Sequence, residues 1–343
     1  MKKSNQIFLD ACNGFPTKRT PVWIMRQAGR YLPEYRKIRS KATFHQMMHK
    51  PDLMTEVTLL PMKRFELDAA IMFSDILVIP ESLGMKFDLV PKVGPVFNNR
   101  ISNDNDIKNL NYNNDYFKNI YKGISSIRSD LNNDKSLIGF AGAPWTVACY
   151  MLEGKPSKDY MSLRSLMIEQ PDSFKLLMEK ITDATINYID GQIKSGVNVI
   201  QIFDSNGTYI SKDHYEKYSL PYISKIIRHI NSRNIPSIYF AKGLCNDVDL
   251  ILKNEPKVLG IDWTVNIGDI KNKIKNKVVL QGNLDPSVLL CSNQIIKQEV
   301  AKIIDSIGNN QGHIFNLGHG ITPNVNPISV EFLIQTVKQL SKK

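Results

Sequence analysis

The chain has 343 residues, of which 42% are hydrophobic and 22% charged, enough apolar material for a full core and unlike a disordered or fibrous sequence. No apolar run approaches the ~18 residues of a membrane-spanning helix, so a membrane span is excluded. The formal net charge of +11 is compatible with nucleic acid, a membrane surface or an acidic small molecule as partner. Much of that excess is lysine scattered among asparagine and isoleucine, as in "DIKNKIKNKVV" (269–279), so charge alone selects none of them.

At the N-terminus, "MKKSNQIFLDACNG" is basic, but Asp10 interrupts its apolar part, which argues against a signal peptide. Cys12, Cys149, Cys245 and Cys291 are widely spaced and form no C-x-x-C pair, the pattern of reduced thiols in a cytoplasmic protein. The first apolar run, "VWIM" (22–25), opens "PVWIMRQAGRYLPEYRKIR", in which Arg26, Arg30, Arg36 and Arg39 come in close succession with only Glu34 as local counter-charge.

Further runs are "AAIMF" (69–73), "LIGFAG" (137–142), "NVIQIF" (198–203), "SIYFA" (237–241), "VLGID" (258–262), "VVLQG" (278–282) and "HIFNLG" (313–318). They are near-continuous rather than alternating, as parallel strands covered on both faces should be. Segments of helical period separate them. One spans 171–195, with Phe174, Leu177, Met178, Ile181, Ala184 and Tyr188 on one face and Gly196 as its stop; another begins at Pro327. The polar stretch 98–115 reads as an exposed excursion.

Eight strands alternating with helices predict a single (β/α)₈ (TIM) barrel over 1–343, its cleft at the C-terminal ends of the strands. A doubly wound open sheet is the competitor, weakened because no strand leads into G-x-G-x-x-G or a phosphate loop. At the mouth the strands deliver, in order, Arg26 and Arg30, Ser74 and Asp75, "APWT" with Tyr150, Asp204 and Ser205, Lys242, Asp262 and Trp263, Asn283, and His319.

Each group has a plainer alternative. Arg36 and Arg39 can serve a solvated helix face; Arg26 and Arg30 flank "QAG", where Gly29 permits close backbone approach, and planar guanidiniums bind carboxylates or phosphates bidentately. Asp75 lies between "IMFS" and "ILVIP", a setting where a carboxylate is rare unless paired or functional. Its alternative is a partner for a barrel arginine. His319 can be a satisfied structural histidine, Tyr150 a helix core residue and Ser205 a cap, while Asp262 and Trp263 suit packing and lid support. Clustered His and Cys for zinc are not evident, and neither is G-x-S-x-G.

"PVWIMRQAGRYLPEYR", "FSDIL", "GFAGAPWTVACYMLEG", "IDWT", "LQGNLDP" and "NLGHGITP" together resemble the signatures of the uroporphyrinogen decarboxylase family, from about residue 15 to the C-terminus. The resemblance implies a cytoplasmic homodimer of (β/α)₈ barrels in haem and tetrapyrrole synthesis. It also implies removal of four acetate carboxyls from uroporphyrinogen without metal or organic cofactor. By that resemblance the substrate-binding residues are Arg26, Gln27, Ala28, Gly29, Arg30, Arg39, Asp75, Tyr150, Ser205 and His319, with Asp75, Arg26 and Arg30 catalytic. The strand-4 loop "FDSNGTYIS" is the local departure, which leaves Ser205 less defined than Asp75. The rivals are a superfamily methyltransferase, which needs a zinc-thiolate site, a non-catalytic tetrapyrrole binder, and a nucleic-acid binder resting on charge alone.

Overall fold

The computed structural model describes residues 6–275, 277–308 and 312–342. Its strands are β1 (Ala69–Ile71), β2 (Phe87–Val90), β3 (Gly94–Phe97), β4 (Ser136–Gly142), β5 (Val199–Asp204), β6 (Ser237–Ala241), β7 (Val258–Gly260), β8 (Val279–Leu284) and β9 (His313–Leu317). Seven of them form one curled parallel sheet in the order β1-β4-β5-β6-β7-β8-β9, while β2 and β3 pair antiparallel as a separate hairpin. Consecutive parallel neighbours joined through helices are what the buried apolar runs anticipated, and an open doubly wound order is not observed.

The first expected strand behaves differently. Val22 forms only an isolated parallel bridge with Phe315. The chain nevertheless bonds to β9 and to the residue just before β1: Trp23 N–H donates to Phe315 O at 3.3 Å, Phe315 N–H to Pro21 O at 2.8 Å, and Asp68 N–H to Val22 O at 2.9 Å. The physical reason for the missing ladder lies in its donors. Val22 N–H goes to Asp68 Oδ2 (2.8 Å), Ile24 N–H to Gln27 Oε1 (3.1 Å) and Met25 N–H to Asn316 Oδ1 (2.9 Å). Side chains satisfy the groups that strand neighbours otherwise take. Asp68 is held for this by Arg19, whose two terminal nitrogens donate to its two oxygens at 2.7 Å each.

Inside the curl, Trp23, Met25, Ala69, Ile138, Val199, Ile238, Phe240, Val258, Val279 and Ile314 form one buried cluster. Phe8, Ala11 and Cys12, from the helix Ile7–Cys12, join it at its base. A polar thread crosses the same interior: Trp23 Nε1–H donates to Gln281 Oε1 (2.9 Å) and Gln281 Nε2–H to Gln201 Oε1 (3.1 Å). The outer faces are covered by a larger core that includes the helix Pro171–Lys194, buried along Phe174, Leu177, Met178, Ile181, Ala184 and Tyr188. The helix Pro327–Leu340 buries Val330, Leu333, Ile334 and Val337 in the same way, its start capped by the Asn326 side chain.

Two segments depart from expectation. The β2–β3 hairpin lies in a Pro- and Gly-rich stretch whose short runs carry little strand signal. The 98–115 excursion is anchored rather than loose: it holds the capped helix Asp104–Lys108, buries Ile101, Ile107 and Leu110, and its carbonyls at Lys108 and Leu110 accept from Lys180 Nζ. No helix among the described residues is long and apolar enough to cross a membrane.

Candidate active site

A cavity of about 540 Å³ opens at the C-terminal ends of the sheet strands. Its floor is aromatic and apolar. Phe140 of β4, Phe203 of β5 and Phe240 of β6 stand in an edge-to-face row, with ring centroids 5.6 and 6.1 Å apart, and Ile71 of β1 lies beside them. The polar lining comes from loops at the ends of separate strands: Arg26 and Arg30, Ser74 and Asp75, Tyr150, Ser205, Lys242 and His319. Ala28 and Gly29 also line it.

The backbone of the first loop is shaped to present its guanidiniums. Arg26 adopts φ +64°, a left-handed conformation uncommon for a residue with a side chain. A Cβ on Gly29 would lie 2.9 Å from Arg26 O, so a glycine is needed at the close of that turn. Arg36 then clasps the loop, its Nη1 donating to Arg30 O (2.8 Å) and Tyr31 O (3.2 Å). That makes Arg36 a brace for the arginine loop, a role its place in a basic run did not reveal.

Asp75 is the sole carboxylate among the lining residues. Its Oδ1 accepts from Leu77 N–H at 2.8 Å. Burial raises its pKa above the usual carboxylate value, opposed by the Leu77 backbone donor and by the charge of Arg26. Asp75 is half-buried and lines the cavity. Tyr150 is half-buried in the helix Pro144–Glu153, and its hydroxyl is pushed up by burial and then by Asp75, so it stays a proton-bearing donor. Burial, then Arg26 and Lys242, depress His319 to about 4, which leaves the ring neutral near pH 7. Among the described residues no ion pair within 4.0 Å joins Arg26, Arg30 or Lys242 to a carboxylate, so three cations face one anion in a shared space.

Not every expected residue lines the cavity. Gln27 is fully buried and spends its amide on the fold: Oε1 accepts from Ile24 N–H, and Nε2 donates to Ala69 O at 3.2 Å. Arg39 is exposed, donates to Ala42 O at 3.0 Å, and lies near Tyr35, whose hydroxyl feels both Arg39 and Arg30. Asp204, next to Ser205, is a structural node. It is fully buried and accepts from Thr146 Oγ1 (2.7 Å), Tyr215 OH (3.0 Å) and Tyr239 OH (2.9 Å). Asp262 likewise ties loops together, accepting from Gly243 N–H and from Thr264, in keeping with a packing role. Lys242 completes the cationic wall; its position at a strand end was visible in the sequence, but no motif marked it.

Cysteine does not contribute to the cavity lining. Cys12, Cys149 and Cys245 are buried and unpaired, with thiols pushed up by burial, Cys245 to about 12. Ligand clustering does occur elsewhere. Contrary to the expectation of no clustered metal ligands, His45, His49 and Glu81 place one ligand atom each within 4.8 Å of the others, outside the cavity.

Residues 3–340 match the family model for "Uroporphyrinogen decarboxylase (URO-D)". The chain is 44% identical over 341 residues to the uroporphyrinogen decarboxylase of Geobacter sulfurreducens, and equally so to that of Geotalea daltonii; each match covers 99% of this chain and 100% of the relative. The uroporphyrinogen decarboxylase of Ruthia magnifica is 42% identical over 343 residues, covering 98% of this chain and 99% of the relative. Among solved structures, a methyltransferase from Methanosarcina mazei superposes with a TM-score of 0.83 over 98% of this chain and 99% of its own, at 18% identity, a likeness of fold.

Proposed function

The chain belongs to the uroporphyrinogen decarboxylase family, and from that premise we propose how its cavity carries the reaction. It is a carboxy-lyase that decarboxylates uroporphyrinogen in tetrapyrrole biosynthesis. The observation that carries the assignment of roles is the juxtaposition of one carboxylate, Asp75, with Arg26, Arg30 and Lys242 around an aromatic floor. A substrate rich in carboxylates at its rim and in N–H donors at its centre matches that arrangement of charge.

In this scheme Asp75 accepts the inward-pointing pyrrole N–H bonds. Arg26 and Arg30 hold carboxylates by their planar forks, and Lys242 adds a compact point charge. Neutral His319, Tyr150 and Ser205 orient side chains by hydrogen bonds, and the row Phe140, Phe203 and Phe240 supports the macrocycle. Gln27, Ala28 and Gly29 shape the loop; Arg39 acts from outside it on the incoming acids.

An acetate on a pyrrole cannot lose CO₂ directly, because the electron pair left behind has no acceptor. A proton added to the adjacent ring carbon creates an iminium-like sink. The C–CO₂ bond then breaks and its electrons neutralise the ring cation, leaving an exocyclic methylene; a second proton on that carbon yields methyl, and loss of the first proton from the ring carbon restores the pyrrole. Asp75 stabilises the cation while it exists, an electrostatic contribution that is larger in the transition state than before it. Because the substrate supplies its own sink, the scheme uses no cofactor. Four rounds convert uroporphyrinogen III to coproporphyrinogen III and four CO₂.

The finer architectural and cellular assignments belong to the same proposal. Residues 21–25, hydrogen-bonded to β9 and to Asp68 just before β1, stand as the eighth strand of one (β/α)₈ barrel domain spanning 1–343. Family membership supports a homodimer, and unpaired cysteines support the cytoplasm. A thiolate-dependent methyltransferase is not favoured, since the cavity offers no thiol. The test is anaerobic incubation with reduced uroporphyrinogen and no added metal or cofactor. Successive hepta-, hexa-, penta- and tetracarboxylate products are expected; absence of CO₂ release from both the I and III isomers would leave only a binding role.

A further inference from the structure

Outside the cavity, the short helix Phe44–His49 carries His45 and His49 one turn apart, so both rings project from the same side, with centroids 4.2 Å apart. They face Glu81 in the helix Val78–Ser82. Glu81 is an unusual residue for its position. Its side chain is 5% exposed, whereas His45 opposite is 55% exposed and opens the cluster to solvent. One oxygen, Oε2, accepts from Tyr116 OH at 2.5 Å. The other, Oε1, has His45 Nδ1 at 3.5 Å, a distance too long for a good hydrogen bond, and burial lowers the His45 pKa, so the ring does not supply a full countercharge. A carboxylate taken from water in this way is costly unless a cation compensates it.

We propose that His45, His49 and Glu81 form a binding site for a divalent transition-metal ion of the zinc or cobalt type, outside the cavity of the decarboxylation centre. Two imidazoles and one carboxylate, with a position left for water, is an established three-ligand set for such ions, and imidazole disfavours magnesium or calcium. Metal–ligand bonds of about 2.0–2.2 Å put tetrahedral ligand atoms about 3.4 Å apart. The ligand atoms now lie within 4.8 Å of one another and His45 Nδ1 is already 3.5 Å from Glu81 Oε1, so a bound ion has only to draw them in. Tyr116 supplies the outer support, since its hydroxyl bonds both Glu81 Oε2 and, at 2.9 Å, His49 Nε2. Asp75 and Asp88 act on Glu81 as further negative charges, which Lys86 offsets only in part, so the surroundings favour a cation. The bound ion would join the helix Phe44–His49 to the helix Val78–Ser82, which follows Asp75.

The experiment uses untagged, chelator-stripped full-length protein and Co²⁺ in competition with a chromophoric chelator. One saturable equivalent is expected, together with a metal-dependent rise in Tm. His45→Ala, at an exposed position that should not disturb folding, and Glu81→Gln should each weaken binding beyond the roughly 10–100-fold that loss of an outer-sphere partner costs. Retention of wild-type affinity in folded His45→Ala overturns the site. So does binding that is non-saturable, or that vanishes in Cys291→Ser, the exposed thiol, instead of in the histidine variant.

Discussion

Gly320 and Arg26 share one space: a Cβ built on Gly320 would lie 2.3 Å from Arg26 Cδ and 2.7 Å from its Nε. The bare glycine next to His319 is what allows the arginine stem to pass, and Ile321 N–H fixes the same loop to Met25 O at 2.9 Å. Gly320→Ala should therefore move Arg26 rather than break the core, because the obstructed atoms belong to a flexible side chain. A displacement of about 1 Å in a positioning group can cost about 10²-fold. Steady-state kinetics and Tm on one preparation check this: a large fall in kcat/KM with little change in Tm is expected, and unchanged kinetics would remove Arg26 from the site.

Arg30→Lys keeps the charge and removes the planar fork. Hydrogen bonds to charged groups are worth about 1.5–3 kcal/mol, so kcat/KM should fall by roughly ten- to a hundredfold while Tm is preserved. Activity equal to wild type would place Arg30 among surface arginines.

Much of this site was legible in the sequence because parallel strands announce themselves as short apolar runs, and the residues just past their C-terminal ends form the mouth. Seven of the eight runs are strands, and Arg26, Asp75, Tyr150, Ser205 and His319 line one cavity. The eighth run was obscured by its partners: Asp68, Gln27 and Asn316 accept the N–H bonds that a strand ladder requires, and they lie up to 291 positions away. For the same reason Gln27, embedded in the arginine loop, could not be told from a cavity residue. Arg36 and Lys242 carry no local signal beyond charge. His45 and His49 did carry one, their i,i+4 spacing, but the third member, Glu81, comes from another helix.

Metal removal separates the two sites. None of His45, His49 and Glu81 lines the cavity, and the proposed chemistry runs through Asp75 and the arginines. Exhaustive chelation should leave the rate of CO₂ release unchanged while lowering Tm. Activity lost to chelator and restored by zinc would assign the metal to catalysis.

His313 predicts a pH dependence of stability. Its Nε2–H donates to Gly282 O at 2.8 Å, and its buried Nδ1 has no partner among the described residues. Burial depresses the ring from 6.5 to about 4. Between those values the unfolded chain binds a proton that the folded chain refuses, so the stabilisation is complete above about pH 6.5 and is lost as pH falls toward 4. The full span corresponds to about 3 kcal/mol. His313→Gln keeps a donor for Gly282 and cannot titrate. Urea unfolding at pH 7 and pH 4 should show a smaller acid loss in the variant; equal losses would mean that the ring charges without penalty.

Asp75→Asn distinguishes chemistry from architecture most directly. The amide oxygen can still accept from Leu77 N–H, so the loop should keep its shape. Because burial raises the folded pKa of Asp75, the ionised group costs stability above its unfolded pKa, and the neutral amide removes that cost. Tm at pH 7 should be unchanged or higher. Catalysis should move the other way. Asparagine brings an NH₂ that confronts pyrrole N–H donors and lacks the charge that stabilises the protonated ring. Preorganised electrostatic groups of this kind are worth roughly 10²–10³ in kcat, with KM affected less, since the interaction strengthens as the cation develops. Single-turnover CO₂ release and thermal melting on the same sample give both quantities. A structural Asp75 predicts a lowered Tm with near-normal turnover in the folded fraction, and that outcome would sink the proposed mechanism.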